Sequence, residues 1–171
     1  MSMQPLRLPA SQVEKAAHYL DVRQTILALL DGEDDWVAAM ATVAAELHGA
    51  FEYFDWTGFY RLVTPTLLVI GPYQGGHGCL RIEMGRGVCG AAAASRRTQR
   101  VPDVSTYPGH IACSASTRSE IVVPVIAPAG RLLGVLDVDS DSVDAFCDAD
   151  QHGLEQIAAE LGRRFEATPR T

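Results

Sequence analysis

Two apolar, β-branched runs, SEIVVPVIA and RLLGVLDVDS, flank a Pro-Ala-Gly turn. A chain that contains such a pair is committed to a long antiparallel hairpin, and so to a sheet. Pairing across that turn brings Glu120, at the start of the first run, close in register to Asp139, near the end of the second. Asp137 and Asp139 lie two apart and project from one face of their strand. Three carboxyl groups then converge at one end of the hairpin, where each raises the pKa of its neighbours and a proton can be shared.

The rest of the chain must pack around this hairpin. Residues 11–30 place Val13, Ala17, Leu20, Ile26, Leu27 and Leu30 at helical spacing, with a break in the pattern, and Gly32 ends the segment. Asp34 is expected to cap a second helix that buries Trp36, Met40, Val43 and Leu47 and closes at Gly49. From Trp56 the period changes. TGFYRLV and TLLVI read as two strands around a turn at Pro65, GPYQGGHG as a Gly-rich connection, and CLRIEM as a third strand. In that third strand Leu80, Ile82 and Met84 share a face and Cys79 stands at the start. A glycine turn and a short alanine-rich helix follow, then TQRVPDV as an edge segment stopped by Pro102. Residues 148–166 close the chain as a helix burying Leu154, Ile157, Leu161 and Phe165. The economical solution is an α+β layer: a central antiparallel sheet, N- and C-terminal helices packed on one face, and functional loops on the other. The expected division is an N-terminal helical segment over 1–30, one main domain over 31–167 and a tail over 168–171.

Composition narrows the partners. A net charge of −7 and a pI near 5.1, with no basic cluster interleaved with aromatics, argue against nucleic acid. The first residues lack the apolar core of a secretory signal, and no stretch approaches the ~18 apolar residues of a membrane span. The expected compartment is the cytoplasm. Four cysteines, Cys79, Cys89, Cys113 and Cys147, are too few to scaffold 171 residues, and in a reducing compartment they point to redox chemistry. None forms the close pair a structural zinc site favours, and Glu46 and His48 do not complete H-E-x-x-H. No metal is expected.

Candidate chemistry gathers in Tyr107–Pro124, YPGHIACSASTRSEIVVP. Cys113 follows His110 and precedes four hydroxyl side chains, a polar setting that can favour a thiolate, although a buried, inert cysteine fits the same residues. Glu120 follows at the strand entrance as a candidate proton donor. Gly85, Gly87 and Gly90 spell G-x-G-x-x-G, but too little chain follows for a dinucleotide-binding βαβ unit. They are read instead as a tight turn with close backbone approach, leaving backbone amides that could hold a small anion. Trp56 and Tyr60 share a strand face around Gly58. Core packing explains them; an aromatic floor for a small amino-acid-like molecule is the functional reading.

These residues resemble the free methionine-(R)-sulfoxide reductases, a family built on a single GAF domain. From Trp56 to Leu161 the marks occur in order: W-T-G-F-Y, G-P-Y-Q-G, G-R-G-V-C-G, V-P-D-V, P-G-H-I-A-C, S-E-I-V-V-P and G-V-L-D-V-D-S. The resemblance implies a GAF fold over 31–167 and reduction of free methionine-R-sulfoxide. It makes Cys113 the nucleophile, Cys79 the resolving thiol and Cys89 a further thiol, with Cys147 structural. Glu120, Asp137 and Asp139 become the substrate-binding carboxylates, Glu120 or Asp139 the proton donor, and Trp56 and Tyr60 the wall around the methyl end. No bound cofactor is implied; thioredoxin is the external reductant and the assembly a homodimer. The chain departs from the pattern at Ser114, where the family often has an acidic residue. Two other classes stay open: a ligand-sensing GAF domain, although the N-K-x-x-x-F-x-x-x-D-E pattern of cyclic-nucleotide binders is absent, and a thiol peroxidase or redox sensor.

Overall fold

The computed structural model describes residues 4–166; the 168–171 tail lies outside them. Its elements run α1 (Gln12–Leu29), α2 (Trp36–Ala50), β1 (Trp56–Thr64), β2 (Leu67–Gln74), β3 (Arg81–Glu83), α3 (Gly87–Ser95), β4 (Gln99–Val101), β5 (Ser119–Ile126), β6 (Leu132–Ser140) and α4 (Asp148–Arg164). Within the sheet the strand pairings are antiparallel, in the order β3-β2-β1-β6-β5-β4. The β5–β6 hairpin is as expected, and Glu120 stands opposite Asp139.

Strand alternation sorts side chains to two cores. Phe59, Ile121, Val123, Val125, Leu136 and Val138 join the helices α1, α2 and α4 in the larger one. Trp56, Tyr60, Val122 and Val135 face the other way, toward Cys89 and the alanines of α3. The N- and C-terminal helices therefore cover one face, as expected, and the α3 face carries the loops. Glu120, Asp137 and Asp139 share the parity of Val122 and Val135 along their strands, so their carboxyl groups belong to the α3 side.

Four local expectations change. Helix α1 runs without a break, and its buried stripe is Lys15, Tyr19, Val22 and Ile26, whereas Val13 is 79% and Leu20 56% exposed. The reason is an ion pair: Lys15 Nζ lies 2.6 Å from Asp150 Oδ2 on α4, both side chains buried. It also donates to the Ala145 carbonyl and stands 4.5 Å from the Tyr53 ring centroid. The Tyr19 and Tyr53 hydroxyls and the Cys147 amide donate to the same aspartate, so every oxygen of this buried charge is answered. Second, Asp35, not Asp34, caps α2, accepting from the Ala38 amide. Third, β2 continues through the segment read as a connection, to Gln74. Pro72 is tolerated because it lies where the β1–β2 register shifts between Gly58↔Tyr73 and Tyr60↔Ile70, so that neither Gly71 nor Pro72 is paired with a β1 residue. Fourth, the third strand shrinks to three residues; Cys79 and Leu80 precede it, and Leu80 is 67% exposed.

The glycine reading holds. Gly85 and Gly87 have φ of 81° and 60°, and a Cβ on Gly90 would stand 2.4 Å from the Glu83 carbonyl oxygen. Helix α3 can seat against β3 only because that position is bare.

Lys15→Ala strands Asp150 in the core without its cation. Urea unfolding should show a loss of about 3 kcal/mol, and a loss below about 1 kcal/mol would make the pair incidental to docking of α1.

Candidate active site

Strands β1, β6 and β5 lie side by side at the centre of the sheet, and their α3-facing side chains line one cavity. Trp56, Tyr60, Cys89, Cys113, Glu120, Asp137 and Asp139 all border it, with His110 and the first turn of α3. Seven of the eight residues singled out from the sequence thus meet in one place. The eighth, Cys79, is disulfide-bonded to Cys113, with the two Cα atoms 5.2 Å apart. Cys89 and Cys147 are free thiols.

The aromatic wall forms because Gly58 lets the Trp56 ring fold back across the strand; a Cβ there would stand 2.6 Å from the indole. The indole stacks between Tyr60 and Tyr73, at centroid distances of 5.9 and 5.3 Å. The loop before Cys79 roofs it: Trp56 Nε1 donates to the Gly76 carbonyl at 3.2 Å, and Gly78 packs against both site rings. With the disulfide closed, the cavity is about 30 Å³, room for water-sized occupants.

The carboxyl groups sit at the floor. The thiol beside Glu120 is Cys89, whose Sγ lies 4.0 Å from Glu120 Oε1. On the other side, His110 Nε2 is 3.5 Å from Glu120 Oε2. Asp137 Oδ1 is buried and has no hydrogen-bond partner among the described residues. The first turn of α3 carries no side-chain cap, and its N-cap Arg86 borders the cavity.

The GAF domain family model matches residues 10–165. The chain is 41% identical over 156 residues to the free methionine-R-sulfoxide reductase of Escherichia coli (strain K12), spanning 91% of this chain and 93% of that protein. It is 45% identical over 150 residues to GAF domain-containing protein A of Dictyostelium discoideum, spanning 88% and 94%. The X-ray structure of free methionine-R-sulfoxide reductase from Neisseria meningitidis in complex with its substrate aligns with a TM-score of 0.86 at 46% identity, over 97% of this chain and 98% of that one. The chain belongs to the free methionine-R-sulfoxide reductase family.

In this family member the electrostatics of the site follow from burial. Removal from water pushes Glu120 up; the hydrogen bond from His110 pulls it back and the neighbouring Asp139 raises it again, leaving it at about 7. Burial, then the charge on Glu120, holds Asp137 well above the usual carboxylate range; burial, then Asp137, does the same for Asp139. Burial followed by Asp137 and Glu120 keeps Cys89 a thiol. Burial and Asp137 keep the Tyr60 phenol protonated. His110 moves up, chiefly through its hydrogen bond to Glu120 and against its own burial. The floor therefore stores protons at neutral pH.

His110 is the residue whose role the sequence concealed. It stands out there only as a polar neighbour of Cys113, and its contact with Glu120 depends on how the loop folds back over β5.

Glu120 binds its proton more tightly folded than unfolded, so its contribution falls as pH rises from about 4.5 through about 7. The His110 pairing is lost in the same direction. Wild-type protein should therefore lose stability relative to Glu120→Gln between pH 5 and pH 8, on the order of 2 kcal/mol. Parallel pH profiles in urea titrations would place the Glu120 carboxyl in water.

Proposed function

We propose that this protein reduces free L-methionine-R-sulfoxide to methionine through Cys113 and Cys79. One observation carries the reading: a disulfide joins Cys79 to Cys113 at the mouth of a cavity floored by proton-bearing carboxyl groups and walled by stacked aromatics. Relatives named for this reaction support the choice of substrate.

The residues divide the work. Trp56 and Tyr60 offer an apolar wall for the S-methyl end. Asp137, with one buried oxygen unpaired, takes an N–H of the substrate ammonium, with Asp139 beside it. The uncapped amides at the start of α3 take the substrate carboxylate. A methionine sulfoxide within a polypeptide lacks both charged groups and so loses both anchors.

The chemistry needs one thiolate and one proton. Cys113 thiolate attacks the sulfoxide sulfur, and Glu120, whose pKa of about 7 keeps a proton available at neutral pH, gives that proton to the departing oxygen. The protonated oxygen then passes from the methionine sulfur to Cys113 Sγ as the new sulfur–sulfur bond breaks, so methionine leaves and Cys113 carries the oxygen as sulfenic acid. Cys79 condenses with it, releasing water and forming the disulfide. An external dithiol, a thioredoxin in a reducing cytoplasm, reopens it by exchange. No bound cofactor enters the scheme. The attacking thiolate exists only once the Cys79–Cys113 disulfide is open, so it is the reduced form that turns substrate over.

NADPH consumption through thioredoxin and its reductase, with the free R epimer, the S epimer and N-acetylated R sulfoxide side by side, tests the reading. Turnover of the free R form alone is expected. No turnover of any by reduced, folded protein would return the chain to the ligand-sensing GAF class. Cys113→Ser should abolish turnover, and Cys79→Ser should stop after one equivalent with sulfenic acid on Cys113. In single turnover, the decline in rate above about pH 7 should disappear in Glu120→Gln, which is slower throughout; an unchanged profile would give the proton to Asp139.

A further inference from the structure

The proposed reaction leaves two thiols unused, Cys89 and Cys147, and of these Cys89 borders the cavity. Cys89 is buried in the first turn of α3, outside the disulfide. One atom each from Cys89, Glu120 and Asp137 lie within 4.8 Å of one another, and all three residues are buried. They come from α3, β5 and β6, at positions 31 and 17 residues apart in the chain, which is why cysteine spacing points to no metal.

We propose that Cys89, Glu120 and Asp137 bind a thiophilic divalent cation of the zinc type, which excludes the substrate while it is held. The donor set is one sulfur and two carboxylates, a combination that suits zinc better than magnesium or calcium. Zinc bonds of about 2.3 Å to sulfur and 2.0 Å to oxygen at tetrahedral angles set an S···O edge of about 3.5 Å. The Cys89 Sγ to Glu120 Oε1 distance is 4.0 Å, so small side-chain rotations close it. Asp137 Oδ1 supplies a second sign, beside the donor cluster, that a cationic group belongs there. It is buried and unpartnered, and the residue borders the cavity. That cavity, about 30 Å³ in the disulfide form, has room for an ion or a water. His110, 3.5 Å from Glu120 Oε2, stands behind Glu120 as the partner that orients a ligating carboxylate.

Cation and substrate then compete for the same oxygen, because Asp137 Oδ1 is also the proposed seat of the substrate ammonium. The competition arm rests on that placement; the binding arm does not.

Full-length protein in its Cys79–Cys113 disulfide form, carrying Cys147→Ser so that Cys89 is the free thiol, is titrated with zinc chloride against a chromophoric chelator. One zinc per chain is expected, with an absorption-edge spectrum showing one sulfur near 2.3 Å and oxygen or nitrogen near 2.0 Å. Cys89→Ala should remove the sulfur shell and the stoichiometric site, and Asp137→Asn should weaken binding by about tenfold or more. Absence of stoichiometric zinc, or zinc held equally well by Cys89→Ala, overturns the proposal. The second protein, Cys79→Ser/Cys113→Ser/Cys147→Ser, admits substrate without turning it over. Displacement of its zinc by free methionine-R-sulfoxide supports the shared site. Zinc bound through Cys89 that the sulfoxide does not displace keeps the metal site and moves the substrate ammonium elsewhere.

Discussion

The site depends on an electrostatic cost that the sheet register imposes. Pairing β5 with β6 so that the apolar residues alternate correctly to both cores sets Glu120 opposite Asp139, with Asp137 two residues along on the same side. A one-residue slip would send all three, with Val122 and Val135, into the helix-covered core and turn Val123, Val125 and Val138 out of it. The fold therefore cannot keep its hydrophobic alternation and spread these carboxyl groups apart. Held together and away from water, they cannot all ionise. The inexpensive responses are to keep protons or to take up a cation, and the proposed chemistry draws on both: a carboxylic acid near pH 7 for the sulfoxide oxygen, and an unpaired oxygen for an ammonium group.

A second buried charge, on the opposite face, solves the same problem differently. Asp150 receives Lys15, two tyrosine hydroxyls and the Cys147 amide, so nothing is left over for a ligand. The contrast separates structural from functional burial. Asp150 is saturated by the protein and pins α1 to α4; Asp137 keeps an oxygen unanswered and faces a cavity.

How much of this is legible in the sequence follows from what each signal is made of. The hairpin and its carboxylate register are local: a turn of known length and a period of two are enough to place Glu120 against Asp139. The G-R-G-V-C-G turn is legible for the same reason. The buried face of α1 is not, because hydrophobic periodicity selects Val13 and Leu20 where the fold buries Lys15, and only a partner 135 residues away makes that lysine a core residue. The extent of β2 is hidden by Pro72, which reads as a strand breaker unless the register shift against β1 is known. Within the site, the residue types and the thiol pair are visible from ordered motifs. The contacts of Glu120 with His110 and Cys89 are not, since they depend on how a loop and a helix close over the strands.

In the proposed reaction the thiol pair and the carboxyl floor act on one substrate molecule. Its most direct test omits every recycling partner. Fully reduced protein is mixed with one equivalent of free L-methionine-R-sulfoxide, and methionine release and disulfide linkage are followed together by mass spectrometry. One methionine per chain is expected, with Cys79–Cys113 as the linkage formed in step. Sulfoxide left intact, or methionine released with the disulfide formed through Cys89, would contradict it.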